Sequence, residues 1–443
     1  MNIEDKLKLL RKERDARSRR TPGSVEETWA RIDRDDELSV KEKLERLISL
    51  SGAKKPKPSG SRIPASPEPV SREPIQFLEN PYPLQARYGK HRIADGLEIK
   101  GDVLSCLSRD TSFENLDLST ALFIDLETTG LAGGTGTVPF LVGMGYYRED
   151  KFRVAQYFLG ELGEEERMIR DLGAFFKELG FRSVVTYNGK AFDLPLLETR
   201  FILHRQPFRL TELPHLDLLF AARSLWKHKH ESCRLFHLAQ QIVEADRAED
   251  ISGAEIPMRY FDYLRSGNFS LIEPIFYHNQ EDILSLLGLV ISAAGLFAEE
   301  GRAMMGDELD AMDMFGVGKV LESAGNVERS VALFERALAG GLPAELSLTI
   351  KRKLSVHFKK NKDWEKAVTL WQDIASIEDR LFCFRELAMY YEHTAKKYEE
   401  AKRAAEEGLA LAAEGSASYQ KDFEHRIERL NEKIRRRKGA GPK

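Results

Sequence analysis

The sequence predicts a mixed α/β domain over residues 76–302, followed by an all-α helical repeat over 307–430. Between 76 and 300 the apolar pattern switches between a period of two and a period of 3.6, as interleaved strands and helices require. Beyond 307 the strand signals vanish and one segment recurs at a nearly fixed spacing. A length of 443 residues suits about three domains, and a 42% hydrophobic content is enough to build their cores.

Residues 1–50 set Ile3, Leu7, Leu9 and Leu10, then Leu38, Leu44 and Leu47, among dense charge, and read as a charged helical segment without a compact core. Residues 51–75 are rich in Pro, Ser, Gly and Lys, cannot bury enough apolar surface to offset ordering entropy, and are expected to be a disordered linker. The next elements follow in order. Residues 122–126 form a strand, 140–147 and 152–158 a hairpin joined by Arg148-Glu149-Asp150, and 164–179 a helix with Met168, Leu172, Phe175, Phe176 and Leu179 at helical spacing. A short strand at 183–187 and a helix at 192–203 come next. Three strands in a row, then helix, strand and helix, depart from strict βαβ alternation and suit a mixed sheet whose first strands pair antiparallel.

In the C-terminal part, Val327-Glu-Arg-Ser-Val-Ala-Leu-Phe334, Trp364-Glu-Lys-Ala-Val-Thr-Leu-Trp371 and Tyr398-Glu-Glu-Ala-Lys-Arg-Ala-Ala405 align at spacings of 37 and 34 residues. That period resembles tetratricopeptide helix pairs, with Ala405 standing where the other units have an aromatic. Residues 431–443 are a basic tail.

Several function classes are disfavoured at once. Three separated cysteines, Cys106, Cys233 and Cys383, support neither a disulfide framework nor a thiolate metal site, and a reducing compartment fits. The acidic N-terminus lacks the apolar core of a secretory signal. The apolar run 283–298 is interrupted by Ser285 and Ser292 and is shorter than the roughly 20 residues of a membrane helix, so it reads as a buried core helix. The expected location is cytoplasmic, without membrane contact. The net charge of −4 excludes a polycation, yet eight Lys/Arg against four acids in 1–22, and eight against two in 425–443, suit either solvated, frayed ends or loose contacts to a phosphate backbone.

Asp125 and Glu127 lie at i and i+2 of the apolar strand 121–129, so both carboxylates point to one face. Two like charges in a partly dry place raise each other's pKa unless a cation compensates, and Mg²⁺ or Mn²⁺ would accept their oxygens and then grip phosphate. Two later segments supply partners. Asp193, in Tyr187-Asn188-x-x-x-Phe192-Asp193, sits where a strand gives way to a helix and reads equally as a helix cap or as a site residue. His278 and Asp282 stand at i and i+4 of a helix and can meet one centre, or form a simple surface pair.

In this order, Asp125, Glu127, Asp193 and Asp282 resemble the DEDD superfamily of 3′ to 5′ exonucleases, whose fold is ribonuclease H-like. The second motif is similar to that in proofreading domains of family B DNA polymerases. The stretch from Ile256-Pro257 through Tyr260, Tyr263 and Leu264 to His278 resembles the bacterial YprB-type group, in which such a domain precedes tetratricopeptide repeats. One feature departs from the superfamily's pattern of a His five before the last Asp or a Tyr four before it: here Tyr277 is five before and His278 four before. Helical geometry favours His278 as the residue sharing Asp282's face.

The resemblance implies two-metal phosphodiester hydrolysis at single-stranded ends of DNA or RNA, with two Mg²⁺ or Mn²⁺ ions. Asp125, Glu127, Asp193 and Asp282 would hold the ions and His278 would take a proton from the attacking water. Thr128, Thr129, Asn188 and Asn279 would contact the terminal nucleotide, and Phe192 would pack beside its base or inside the core. The repeats would recruit a protein partner or guide substrate. The alternative is a nucleic-acid-binding scaffold that is catalytically weak or inactive. Three further signals are read in context: the glycine-rich 130–137 as a turn beside the acidic strand that lets substrate backbone approach, 226–233 as a basic surface near a nucleic-acid groove with Arg205, Arg209, Arg223 and Arg234, and His215 with Asp217 as a buried structural pair rather than an auxiliary one.

Overall fold

The computed structural model describes residues 75–130, 136–297, 309–376, 380–412 and 417–439. The charged segment 1–50 and all of the linker but its last residue lie outside the described residues. Strand β1 (Ile75–Pro83) comes first, then two short strands, β2 (Arg87–Tyr88) and β3 (His91–Arg92), and helix α1 (Gly101–Ser108). The run predicted as the acidic strand is β4 (Ala121–Thr128), and the predicted hairpin is β5 (Pro139–Arg148) and β6 (Lys151–Leu159). Helix α2 (Glu165–Leu179), β7 (Ser183–Thr186), α3 (Asp193–Leu203), β8 (His215–Asp217) and α4 (Leu218–Trp226) follow. Helices α5 (Ile256–Ser266) and α6 (Glu273–Gly295) complete the α/β part.

Six strands form one sheet in the order β1-β6-β5-β4-β7-β8. From β1 to β4 the pairing is antiparallel, and β7 and β8 add in parallel. Two of these strands were not expected from periodicity. β1 contains Pro81 and Pro83, which an edge strand tolerates because one of its sides needs no N–H donors. β8 has three residues, too few to show a period. The sheet is buried on both faces. Leu122 and Ile124 join a core with Met168, Leu172, Leu197 and Tyr260, whereas Phe123 joins a second core with Leu286, Leu287 and Val290 of α6. The apolar run at 283–298 is therefore mostly the buried half of α6, and no helix among the described residues is long and apolar enough to cross a membrane.

Close passage of α6 over β5 depends on two glycines. A Cβ on Gly143 would stand 2.1 Å from Asn279 Oδ1, and one on Gly145 2.6 Å from an Ile283 methyl.

Beyond residue 309 the described chain is helical: α7 (Ala311–Ser323), α8 (Val327–Ala339), α9 (Ala344–Lys360), α10 (Trp364–Ala375), α11 (Arg380–His393), α12 (Tyr398–Ala412) and α13 (Ala417–Gly439). The three aligned segments open α8, α10 and α12 respectively. Val317, Val320 and Leu321 of α7 belong to the same core as α4 and α6, so the helical region grows directly out of the α/β core. Trp226 lies in that core, and Lys229 donates to Asp310 (2.8 Å) and Asp313 (2.7 Å) at the start of α7. The segment 226–233, expected as a basic surface, thus partly serves to seat α7.

The basic C-terminal residues as far as Gly439 are helical rather than frayed, because α13 is held by a buried acid. Glu392 of α11 accepts from Arg426 (2.9 Å), Arg429 (2.8 Å) and Lys433 (2.8 Å). Burial alone would raise the Glu392 pKa, but the hydrogen bonds of Arg429 and Lys433 and the charges of Arg429 and His393 prevail and hold it at about 2.

Two outcomes follow from this packing. Gly143→Ala is expected to destabilise the protein by about 1–3 kcal/mol through overpacking against Asn279, read from the denaturant midpoint. Because the folded pKa of Glu392 is depressed, its contribution is complete above the ordinary value near 4.5 and lost as pH falls toward about 2. Glu392→Ala should cost about 3–5 kcal/mol near neutral pH and flatten that acid dependence in thermal melts.

Candidate active site

Asp125 and Glu127 continue the parity of Phe123 and so face α6 rather than α2. The register slips between Glu127 and Thr128, where β4 leaves its partner. The two threonines form the turn: Thr128 Oγ1 donates to Gly130 O (2.8 Å), and Thr129 Oγ1 accepts from Val138 N–H (3.0 Å). Both hydroxyls, expected at a terminal nucleotide, are thus engaged by the backbone. Of the glycine-rich stretch, residues 131–135 lie outside the described residues.

Asp193 is the first helical residue of α3, and the N-cap position belongs to Phe192. The backbone at Asp193 itself and at Leu126 offsets part of the rise that burial imposes on its carboxyl, as expected where the start of α3 lies beside β4. The loop before it is shaped by Asp217, whose carboxylate accepts from the N–H groups of Asn188 (2.7 Å), Lys190 (3.0 Å) and Leu219 (3.2 Å). Asn188 adopts φ +70° there, a conformation Asn tolerates. His215 bonds instead to Thr186 Oγ1 (2.8 Å), so the expected His215–Asp217 pair is not formed. Phe192 is 57% exposed, which removes the core-packing reading.

α6 brings the third group. His278 Nε2 lies 3.8 Å from Glu127 Oε1 and 3.6 Å from Asp282 Oδ2, whereas Tyr277 is 39% exposed. Asn279, expected at the substrate, is fully buried. It donates to Asp125 Oδ2 (2.9 Å) and accepts from Gln156 Nε2 (2.9 Å), so it positions Asp125 from below.

Sequence reasoning missed two residues, Arg247 and Asp250. Both side chains are fully buried. Asp250 Oδ1 stands 2.7 Å from His278 Nδ1, and Asp250 Oδ2 accepts from Arg247 Nε at 2.8 Å. Arg247 Nη1 also pairs with Asp282 Oδ1 at 2.5 Å. Both lie in Glu244-Ala-Asp-Arg-Ala-Glu-Asp250, a charge-rich run that reads as a solvated surface and gives no sign of the burial.

The electrostatics are those of crowded like charge. Burial, then Asp282 and Asp193, push the Asp125 carboxyl well up, and burial, then Asp125 and Asp282, do the same to Glu127. Asp193 is raised to about 7, chiefly by burial. For His278 burial lowers the pKa, but the bond to Asp250 and the charge of Asp282 outweigh it and raise the value overall. A hard divalent cation would relieve this crowding, and the all-oxygen donor set fits one. Among the described residues no three such side chains already converge at metal-ligand spacing.

Residues 122–293 match the family RNase_H_2, described as RNase_H superfamily. Over 321 residues the chain is 32% identical to Bacillus subtilis (strain 168) "Uncharacterized protein YprB", covering 71% of this chain and 76% of that protein. The family B DNA polymerase of the archaeon Pyrobaculum calidifontis shows a weaker structural likeness, with a TM-score of 0.33 and 16% identity, over 49% of this chain and 29% of the polymerase. The mixed sheet with its helices is an RNase H-like domain followed by an all-helical region. The chain belongs to the family of the Bacillus subtilis protein YprB.

Proposed function

We propose that this protein is a metal-dependent 3′ to 5′ exonuclease that hydrolyses phosphodiester bonds at single-stranded ends of DNA or RNA. An RNase H superfamily domain supports a nuclease. The observation that carries the finer reading is the gathering of Asp125, Glu127, Asp193 and Asp282 into one electrostatic cluster beside His278. Exonucleolytic polarity rests on the resemblance of these acids, in this order, to the DEDD superfamily.

Asp125, Glu127, Asp193 and Asp282 would hold two Mg²⁺ or Mn²⁺ ions, which when bound stabilise charge on the phosphate and on the attacking and leaving oxygens. The chain's own residues prepare the proton transfer. Arg247 can only donate, so Asp250 Oδ2 is an acceptor, and the ionised carboxylate leaves Oδ1 to accept from His278. The Nδ1 of His278 therefore carries the hydrogen, and in the neutral ring Nε2 presents a lone pair toward Glu127 and Asp282. That nitrogen is placed to take a proton from water entering the cluster. Asn279 keeps Asp125 turned toward the same place. We assign the helical region the recruitment of a protein partner or the guiding of substrate, and a cytoplasmic setting fits the reduced cysteines.

A second reading, binding without cleavage, is favoured by one contact: the Arg247 guanidinium already neutralises Asp282 Oδ1. Turnover separates the two. Purified protein with Mg²⁺ or Mn²⁺ is expected to shorten 5′-labelled single-stranded DNA or RNA stepwise from the 3′ end, and Asp125→Asn should abolish this. Absence of shortening on every substrate, or full activity in Asp125→Asn, would overturn the exonuclease reading.

His278→Ala should slow cleavage by about 10²- to 10⁴-fold, as expected for loss of a general base. Asp250→Ala, which frees the ring without removing it, should cost about 10- to 100-fold in kcat in single-turnover assays.

A further inference from the structure

Phe236 lies on the turn Leu235–Leu238, which none of the acidic motifs includes, and its ring is 41% exposed. An apolar ring of that size at the surface calls for an explanation only if something holds it there, and here three contacts do. The Arg247 guanidinium covers one side of the ring, with its central carbon 5.1 Å from the centroid. The same guanidinium is bonded to Asp282, so the ring stands one side chain away from the acid cluster. The Tyr187 hydroxyl donates to the carbonyl of Cys233, tying the chain just before Phe236 to the end of β7, from which the loop to Asp193 departs. The turn is thus anchored to two of the three acidic segments.

Cations stand near the chain on which the ring sits, since the charges of Arg223 and Lys227 act on the thiol of Cys233. Arg234 is exposed two residues before it, and Arg223 and Lys227 of the α4 end are exposed as well. None of these three cations has an ion-pair partner among the described residues. Exposed cations beside a flat aromatic face that is braced from behind make the combination that holds a single strand: charge for the phosphates and a π-face for a base. An apolar peptide would use the ring but not the cations, and paired duplex bases would offer the ring no free face.

We propose that Phe236 is a stacking platform for an unpaired nucleobase of the bound strand, with Arg247 fixing the ring and Arg234 facing the backbone. This rests on the nucleic-acid reading above and deepens it by naming a base subsite outside the acidic motifs. The subsite reads no sequence, because every base has a π-face.

The test is fluorescence anisotropy of the full chain in EDTA, so that binding is read without cleavage. The probes are a labelled single-stranded thymidine 12-mer and a 12-mer of the same backbone whose nucleotides are abasic. Phe236→Ala and Phe236→Leu should each weaken the thymidine strand by about 5- to 150-fold, and Phe236→Trp should restore it. The abasic strand should bind wild type and all variants alike. Phe236→Leu retains apolar packing under Arg247 but has no π-face, so if Phe236→Ala fails to fold, the Leu and Trp variants decide. Wild-type affinity in Phe236→Leu, or an equal loss on the abasic strand, overturns the stacking platform while leaving the nuclease reading intact. If wild type binds neither strand, the nucleic-acid reading itself falls, and the platform with it.

Discussion

Like charge held where water is scarce is the constraint around which this molecule is arranged. Four carboxylates from β4, α3 and α6 share one region, and Asp282 and Asp193 raise the cost of ionising Asp125 and Glu127. Left alone, such a cluster would protonate or push its elements apart. The structure answers with contacts to single oxygens: Asn279 on Asp125 and Arg247 on Asp282. Among the described residues no comparable hydrogen bond reaches Glu127, and the Nε2 of His278 stands 3.8 Å from it. Charge is thus partly balanced by the protein and partly left for a cation.

α6 is the element that makes this arrangement possible. Its C-terminal half is buried in the main core, which fixes its rotation, and its N-terminal half then presents His278, Asn279 and Asp282 to β4. The helix can come that close only because β5 carries Gly143 beneath Asn279 and Gly145 beneath Ile283. Packing and chemistry are therefore one problem here: the same turn of helix that fills the space over Gly143 orients the carboxylate of Asp125.

The helical region shares this logic. α7 contributes Val317, Val320 and Leu321 to the core that anchors α6, and it is fastened at its start by Lys229. The helical array is thus packed into the same core as the element carrying His278. Farther along, Glu392 gathers three cations of α13 around a buried carboxylate, so the basic end of the chain is ordered by its charge rather than loosened by it.

Periodicity and composition by themselves determined the class of the fold, the strand carrying Asp125 and Glu127, the β5–β6 hairpin, and the helices at Asp193 and Asp282, because each is a local pattern of apolar spacing. The i, i+4 relation of His278 and Asp282 likewise followed from helix geometry alone. Strand β1 escaped because its prolines mask an edge strand, and β8 because three residues show no period. Tertiary structure alone decided what each polar side chain does. Asn279 supports Asp125 instead of meeting substrate, Thr128 and Thr129 build a turn, and Asp217 braces a loop instead of His215. Arg247 and Asp250, buried in a run that looks solvated, became the partners of Asp282 and His278. The physical reason is that a hydrogen bond is specified by which groups the whole chain brings within about 3 Å, and at separations of 28 and 154 residues no local pattern records it.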